Sequence, residues 1–472
     1  MSEPSSMPDR LDPELIRLAV VMVVGALAPL LDATIVTVAL DPMTRQFSAP
    51  LSTIQWVVSG YLLAQAMVIP ATGWAIERFG AKTLWMASLA LFTLGSALSG
   101  AAWSAGSLIG FRIVQGVGGG ALLPLAAVVL TQAAGPRRLG RVMAIVGVPT
   151  QVAPIIGPLV GGLIIDSVGW RWCFYLNGPI CLVAVFLAWR LMPNTPGQPG
   201  QRLDVRGLML LSPALGVLTY GLSRAATVGF TDSVVMMALG AGVLLLAGFI
   251  GHALRTQTVP LIDLRLFARR SFASASVLVF LLSFSIFGAM VVIPLYFQQV
   301  RGTSAFEAGM LIAPQFAGTL VALLFLGKLT DRLPARILVL GGMLIACTAS
   351  LALTQLGTDP APVLLGAALF VRGMGFAATT TAVMAAAYRG LEPEVIPRAT
   401  SALQIGQRIG APFGAAVLVL ILQLQLAGSH ATAGRAAAYG ATFWWALALT
   451  APAVIPALLL GHGHTRSGAG NG

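Results

Sequence analysis

The sequence predicts an all-α integral membrane fold of fourteen transmembrane helices with both termini on one side. Three observations carry the expectation. The 472-residue chain is 57% hydrophobic and 9% charged, with a mean hydropathy of +0.87. That is more apolar surface than one soluble core can hide, so lipid must act as its solvent. The hydrophobic runs are apolar all round rather than striped, and they reach bilayer-spanning length. Lys and Arg gather in alternate short loops between the runs.

Met1 to Arg17 are polar and of mixed charge, and the apolar stretch behind them exceeds signal-peptide length without a small-residue cleavage site. It reads as a retained first span. A window near twenty residues then marks spans at 16–40, 51–76, 83–102, 107–131, 141–166, 173–192 and 207–223. The remaining spans fall at 234–254, 272–297, 307–327, 336–356, 362–387, 399–426 and 441–460. With the N-terminus inside, 20 of the 28 basic residues fall in cytoplasmic segments, 5 in outer ones (Arg45, Arg171, Arg224, Arg301, Arg435) and 3 within spans. The positive-inside rule therefore puts both termini in the cytoplasm. Pro193 to Arg206 is rich in Pro, Gly and Gln and reads as a flexible connector. In Arg255 to Ser271, apolar Leu261, Ile262, Leu264, Leu266 and Phe267 are mixed with charges, which suits a segment lying along the inner membrane surface.

Several function classes are disfavoured. A net charge of +12 suits nucleic acid, but basic residues confined to alternate loops are explained by topology, so no nucleic-acid partner is expected. Cys173, Cys181 and Cys347 are too scattered for a disulfide framework, and no Cys/His cluster has metal-ligand spacing. His252, His430, His462 and His464 lie in loops, tails or span ends without a nucleophile–base pattern, which argues against an enzyme. No re-entrant filter-like loop suggests a channel.

An internal repeat decides the architecture. Gly73-Trp-Ala-Ile-Glu77-Arg78-Phe-Gly80-Ala-Lys82 follows span 2, and Gly327-Lys-Leu-Thr-Asp331-Arg332-Leu-Pro334-Ala-Arg336 follows span 10. Each copy precedes an intramembrane arginine, Arg112 in span 4 and Arg372 in span 12. Two homologous halves with two additional spans between them follow. The expected organisation is a tail over 1–15, a six-helix bundle over 16–192, a linker over 193–206 and two inserted helices over 207–254. An amphipathic linker over 255–271, a second six-helix bundle over 272–460 and a tail over 461–472 complete it.

With these motifs the chain resembles the major facilitator superfamily, in its fourteen-span drug:proton antiporter branch of multidrug efflux type. The resemblance rests on Leu31-Asp32-Ala-Thr34-Ile-Val-Thr37-Val-Ala39-Leu40, the Gly73–Lys82 loop, Arg112-Ile-Val-Gln115-Gly116 and Gly157-Pro158-Leu-Val-Gly161-Gly162. The run Trp170-Arg171-Trp172-Cys-Phe174-Tyr-Leu-Asn177-Gly-Pro179 at the start of span 6 is also similar. The resemblance implies a monomeric transporter in the cytoplasmic membrane of a bacterium. It would use no cofactor, take its energy from the proton gradient, and have the lipid bilayer, protons and a small-molecule substrate as its partners.

Asp32 is the one carboxylate well inside a span, ~12 Å from the outer end of helix 1. An intramembrane acid marks an ion path by default, so Asp32 is the candidate proton carrier; the alternative is a structural acid held permanently in the bundle. Arg112 sits ~8 Å into span 4 from the same side. It either tunes the Asp32 site or packs the helix through a polar network. Gln115 lies one turn further on the same face. The resemblance implies a gating latch built from Gly73, Glu77, Arg78, Gly80, Lys82, Asp331 and Arg332. In span 5, Pro154, Gly157, Pro158, Gly161 and Gly162 form an antiporter motif that should kink the helix and let it pack closely.

Arg372 and Arg408 fall near mid-depth with no evident acid partner. They either attract an anionic or carbonyl-bearing substrate or cap carbonyls within the bundle. Gln55, Trp56, Tyr61, Gln65, Gln151, Phe284, Phe287, Gln315, Phe316, Met374 and Gln404 are the expected cavity wall, an adaptable apolar surface with a few amides. The function that follows is proton-driven export of small lipophilic molecules, with a dedicated carrier of one organic anion or other metabolite as the alternative.

Overall fold

A computed structural model describes residues 12–134, 138–194, 196–198, 200, 202–256, 260–355, 357, 361–426 and 432–460. Within it the first six long helices are α1 (Pro13–Val38), α2 (Trp56–Phe79), α3 (Ala81–Gly100), α4 (Ala105–Ala134), α5 (Leu139–Val168) and α6 (Asn177–Leu191). Two more follow, α7 (Val205–Val228) and α8 (Ser233–Arg255). The last six are α9 (Arg270–Gln299), α10 (Ala305–Arg332), α11 (Ala335–Thr354), α12 (Pro362–Tyr388), α13 (Ile396–Leu426) and α14 (Thr432–Thr450). Among the described residues, 13 helical segments are long and apolar enough to cross a bilayer. The 30-residue α5 stands between them in the chain.

Boundaries differ from the sequence expectation where polar residues interrupt an apolar run. Helix α1 stops at Val38, and Leu40–Phe47 forms a separate short helix that ends at Ser48 in the left-handed region, φ 48°. Asp41, Thr44, Arg45 and Gln46 give that helix a polar side, while Met43 is buried and Phe47 packs edge-on against Trp170. At the other end, α14 closes at Thr450, and a short turn of helix over Val454–Leu459 continues it.

Helix packing repeats at an interval of eight helices. In the first six, α1 packs on α5, α2 and α3 on α4, and α6 on α1 and α3; in the last six, α9 packs on α13, α10 and α11 on α12, and α14 on α9 and α11. Close crossings rely on small residues, as expected for helices that associate in lipid by packing. A Cβ on Gly95 would stand 2.5 Å from the Gln115 amide nitrogen, and one on Gly120 would stand 2.8 Å from the Gln65 carbonyl.

The two sets meet through α5 on α10 and α2 on α13, with α7 lying against both α2 and α13. Ser212 of α7 donates to the Met67 carbonyl of α2 at 2.6 Å, and Tyr220 stacks on Trp56 with ring centroids 5.6 Å apart. One large apolar cluster joins the sets at the end that carries Glu77, bringing Ile76, Ala81 and Leu130 together with Ala386, Ile396 and Ala399. At the opposite end the buried clusters are separate: one is built around Val36, Val57 and Phe174, the other around Ile293, Phe297 and Tyr439. The molecule is thus closed at the Glu77 end and divided at the other.

The segment before α9 turns apolar side chains into the protein. Leu261, Ile262 and Leu266 are 3%, 5% and 4% exposed and belong to the joining cluster. The chain folds inward because these three apolar side chains find a protein core at the closed end, leaving Phe267 and the charged residues outside.

Candidate functional site

Four helices converge on Asp32. The side chain is fully buried, and every partner it has donates to it. Arg112 Nη1 of α4 donates to Oδ2 at 2.5 Å, while Gln115 Nε2 and Asn177 Nδ2 donate to Oδ1 at 2.9 and 2.8 Å. Asn177, at the start of α6, also donates to Ser96 Oγ of α3 at 3.0 Å, and Ser96 in turn donates to the Phe174 carbonyl. Three donors, one of them cationic, thus meet the two carboxyl oxygens.

Arg112 is equally enclosed. Its Nη1 is shared with Gln115 Oε1 at 2.8 Å, its Nε donates to the Val57 carbonyl at 2.9 Å, and its guanidinium lies 4.0 Å from the centre of the Tyr61 ring. Tyr61 is anchored through its hydroxyl to the carbonyl of Pro29, inside α1. The spacing explains the convergence: Arg112 and Gln115 are three residues apart and share one face of α4. A buried charge pair is costly unless further hydrogen bonds support it. Helices α1, α2, α3, α4 and α6 all contribute to this one, although Arg112 Nη2 and Asn177 Oδ1 are buried without a hydrogen-bond partner among the described residues.

Asn177 and Ser96 belong to this cluster, although reasoning from single motifs did not single them out. Asn177 is a lone amide at the head of an apolar helix inside the Trp170–Pro179 run. The repeat offers a signal for Ser96: it stands 14 residues after Lys82, as Ser350 stands 14 after Arg336.

At the closed end Glu77 of α2 receives two hydrogen bonds from Arg398 of α13, Nε to Oε1 at 2.8 Å and Nη2 to Oε2 at 2.6 Å. The pair is mostly buried, with side chains 13% and 10% exposed. Arg398 was not anticipated; nothing local marks it. Gly73 sits one turn before Glu77, where a Cβ would stand 3.3 Å from the Pro397 backbone and Ser401 Oγ. Gly80 adopts φ 81° and turns the chain into α3. Lys82 then caps the carboxyl end of α6, donating to the Trp189 and Met192 carbonyls at 2.9 Å each. Arg78 is half-buried beside Gly197 of the linker. The side chains of Asp331 and Arg332 lie outside the described residues.

On α5, a Cβ at Gly157 would overlap the Thr34 side chain, and one at Gly161 would stand 3.2 Å from Ile35, so both glycines let α1 approach. Thr34 Oγ1 donates to the Ala153 carbonyl at 3.2 Å across the same contact. Gly162 faces open space. The side chains of Pro154 and Pro158 lie outside the described residues.

The expected cavity wall is dispersed. Gln65 is buried on α2 and accepts from Arg408 Nη2 of α13 at 3.0 Å, directly across the two sets of helices. Gln404 is half-buried on the same helix as Arg408, and Gln151 half-buried on α5. Met374 packs where α5, α10 and α12 meet, beside Ala144 and Leu323. Phe284 packs edge-on with Phe413 inside the last six helices, and Phe316 packs against the far-end cluster there. Gln55, Trp56 and Phe287 are exposed. Gln315 and Arg372 pair with each other, Nη1 to Oε1 at 2.5 Å, away from the junction.

Comparison with known proteins accords with this architecture. The profile described as Major Facilitator Superfamily matches residues 22–415. The chain belongs to that superfamily. It is 38% identical over 440 residues to a multidrug resistance protein B homolog of Mycobacterium tuberculosis, covering 92% of this chain and 81% of that one. It is 32% identical over 419 residues to the methylenomycin A resistance protein of Bacillus subtilis, covering 87% and 88%. Among solved structures, the human organic anion transporter MFSD10 superposes with TM-score 0.65 at 15% identity, over 93% of this chain and all of that one. The proton:xylose symporter XylE superposes with TM-score 0.62 at 16% identity, over 92% and 94%. These two likenesses bear on the fold alone. As a member of the superfamily the chain is a multi-pass membrane transporter of small molecules, related to multidrug resistance proteins, and not an enzyme.

Proposed function

We propose that this transporter exports small lipophilic molecules across the cytoplasmic membrane in exchange for protons, by alternating access between two six-helix bundles. The observation that carries the reading is the Asp32 cluster: one carboxylate, deep among apolar helices, held by a single arginine and two amides. Intramembrane acids of this kind serve ion paths. Protonation of Asp32 would release Arg112 and dissolve the network, so proton binding is linked to rearrangement of α1, α4 and α6.

The Glu77 to Arg398 pair supplies the second requirement, a contact between halves that belongs to one state only. In the proposed orientation, termini in the cytoplasm, the closed end is cytoplasmic and this conformation is accessible from outside. The relatives named for multidrug and methylenomycin resistance support export of lipophilic compounds. Arg408 favours a second reading: it bridges the halves to neutral Gln65 and has no carboxylate partner among the described residues, so a carrier of one organic anion would find a cation there.

A growth-inhibition panel on cells with and without the protein tests the proposal. Tolerance to several lipophilic compounds should rise at least fourfold, and a protonophore should collapse the accompanying efflux. Efflux that persists at full rate with the proton gradient dissipated would exclude proton coupling.

A further inference from the structure

The repeat puts the two intramembrane arginines in corresponding places with different company. Gly73 and Gly327 are 254 residues apart, and the same interval relates Tyr61 to Gln315 and Ser96 to Ser350. A slightly longer connection then gives an interval of 260, which relates Arg112 to Arg372 and Gln115 to Gly375. Arg372 is 2% exposed. It donates from Nη1 to Gln315 and from Nε to Ser350 Oγ at 3.1 Å, and lies 4.6 Å from the Phe376 ring centre. These partners are all neutral. Among the described residues no carboxylate reaches Arg372, and the position of Gln115 is taken by a glycine.

A cavity occupies the space beside it. Its walls come from α9, α11, α12 and α14, including Leu281, Ser285, Cys347, Ser350 and Phe443. These four helices are the counterparts of α1, α3, α4 and α6, the same four that assemble the Asp32 cluster. No residue of α1 to α8 lines it, so it lies off the junction between the halves.

We propose that this cavity is a binding site for a compact lipophilic carboxylate, which would take at Arg372 the place that Asp32 takes at Arg112. A buried guanidinium without a counterion is costly, and its planar fork matches a carboxylate. The mostly apolar walls suit a short hydrocarbon tail better than a hydrated inorganic ion. The site is distinct from the proton and substrate path proposed above and does not depend on it.

Hexanoate is the probe, with hexanol and chloride as controls, on the purified full-length protein. Cys347 is half-buried in the cavity wall, whereas Cys173 and Cys181 are buried, so labelling by a small maleimide reports on the site. Hexanoate should slow Cys347 labelling at least tenfold and raise Tm, and neither control should match it. Arg372→Met should abolish both effects. Ser285→Asp, which keeps the arginine and supplies a carboxylate from α9, should raise Tm without ligand and remove the response to hexanoate. No protection of the wild-type protein, equal protection by chloride or hexanol, or an undiminished response in Ser285→Asp would each overturn the proposal.

Discussion

Glu77 and Arg398 stand 321 residues apart in the chain and meet through two parallel hydrogen bonds of 2.8 and 2.6 Å that tie α2 to α13. Hydrogen bonds to charged groups contribute about 2 kcal/mol each way to the balance between two arrangements. Glu77→Gln should therefore shift the population away from the state closed at this end by roughly thirtyfold. Spin-label distances between α2 and α13 near Gly73 and Ser401 should lengthen. The swapped pair Glu77→Arg with Arg398→Glu should restore much of the short distance, as a double-mutant cycle requires of a direct interaction.

Arg112 reaches Asp32 and Gln115 from Nη1 and the Val57 carbonyl from Nε, two nitrogens held in fixed directions by one planar fork. Lysine keeps the charge but offers a single nitrogen and cannot reproduce that geometry. Arg112→Lys should fold yet lose at least tenfold in transport rate. Arg112→Met leaves a fully buried carboxylate without its cation and should cost about 3 to 5 kcal/mol, read as a large drop in Tm.

The glycines of α5 are not equivalent. Gly157→Ala drives a methyl group into Thr34 and should separate α1 from α5, destabilising by about 1 to 3 kcal/mol. Gly162→Ala enters open space and should leave Tm and transport close to wild type. Equal sensitivity at the two positions, measured in parallel, would contradict this packing.

How much of this was legible in the sequence depends on the range of the interaction. Helix number, the repeat and the intramembrane placement of Asp32 and Arg112 follow from composition, spacing and the cost of charge in lipid, all of which act locally or on the whole chain. Asn177 and Arg398 were missed because each is defined by a partner between 81 and 321 residues away, with no periodicity to announce it; for Ser96 the one signal is its place in the repeat. The inward packing of the Leu261–Leu266 segment was not legible for a related reason. Its mixed pattern suits a membrane surface or a protein groove equally, and only the neighbouring helices decide.

That segment gives its own test. Ile262→Asp buries an unpaired charge in the joining cluster and should abolish stable expression, whereas Phe267→Asp, at a side chain 40% exposed, should be tolerated. If the segment instead lay on lipid, both substitutions would weaken the protein comparably.

The central claim is that Asp32 carries the proton, and the most direct measurement compares two transport modes of Asp32→Asn in proteoliposomes of known orientation. Exchange of labelled for unlabelled substrate at equal pH needs a folded, moving carrier but no net proton transfer. Accumulation driven by a pH gradient needs both. Proton coupling through Asp32 predicts that the variant keeps exchange and loses gradient-driven accumulation. Accumulation at the wild-type level in Asp32→Asn would contradict it.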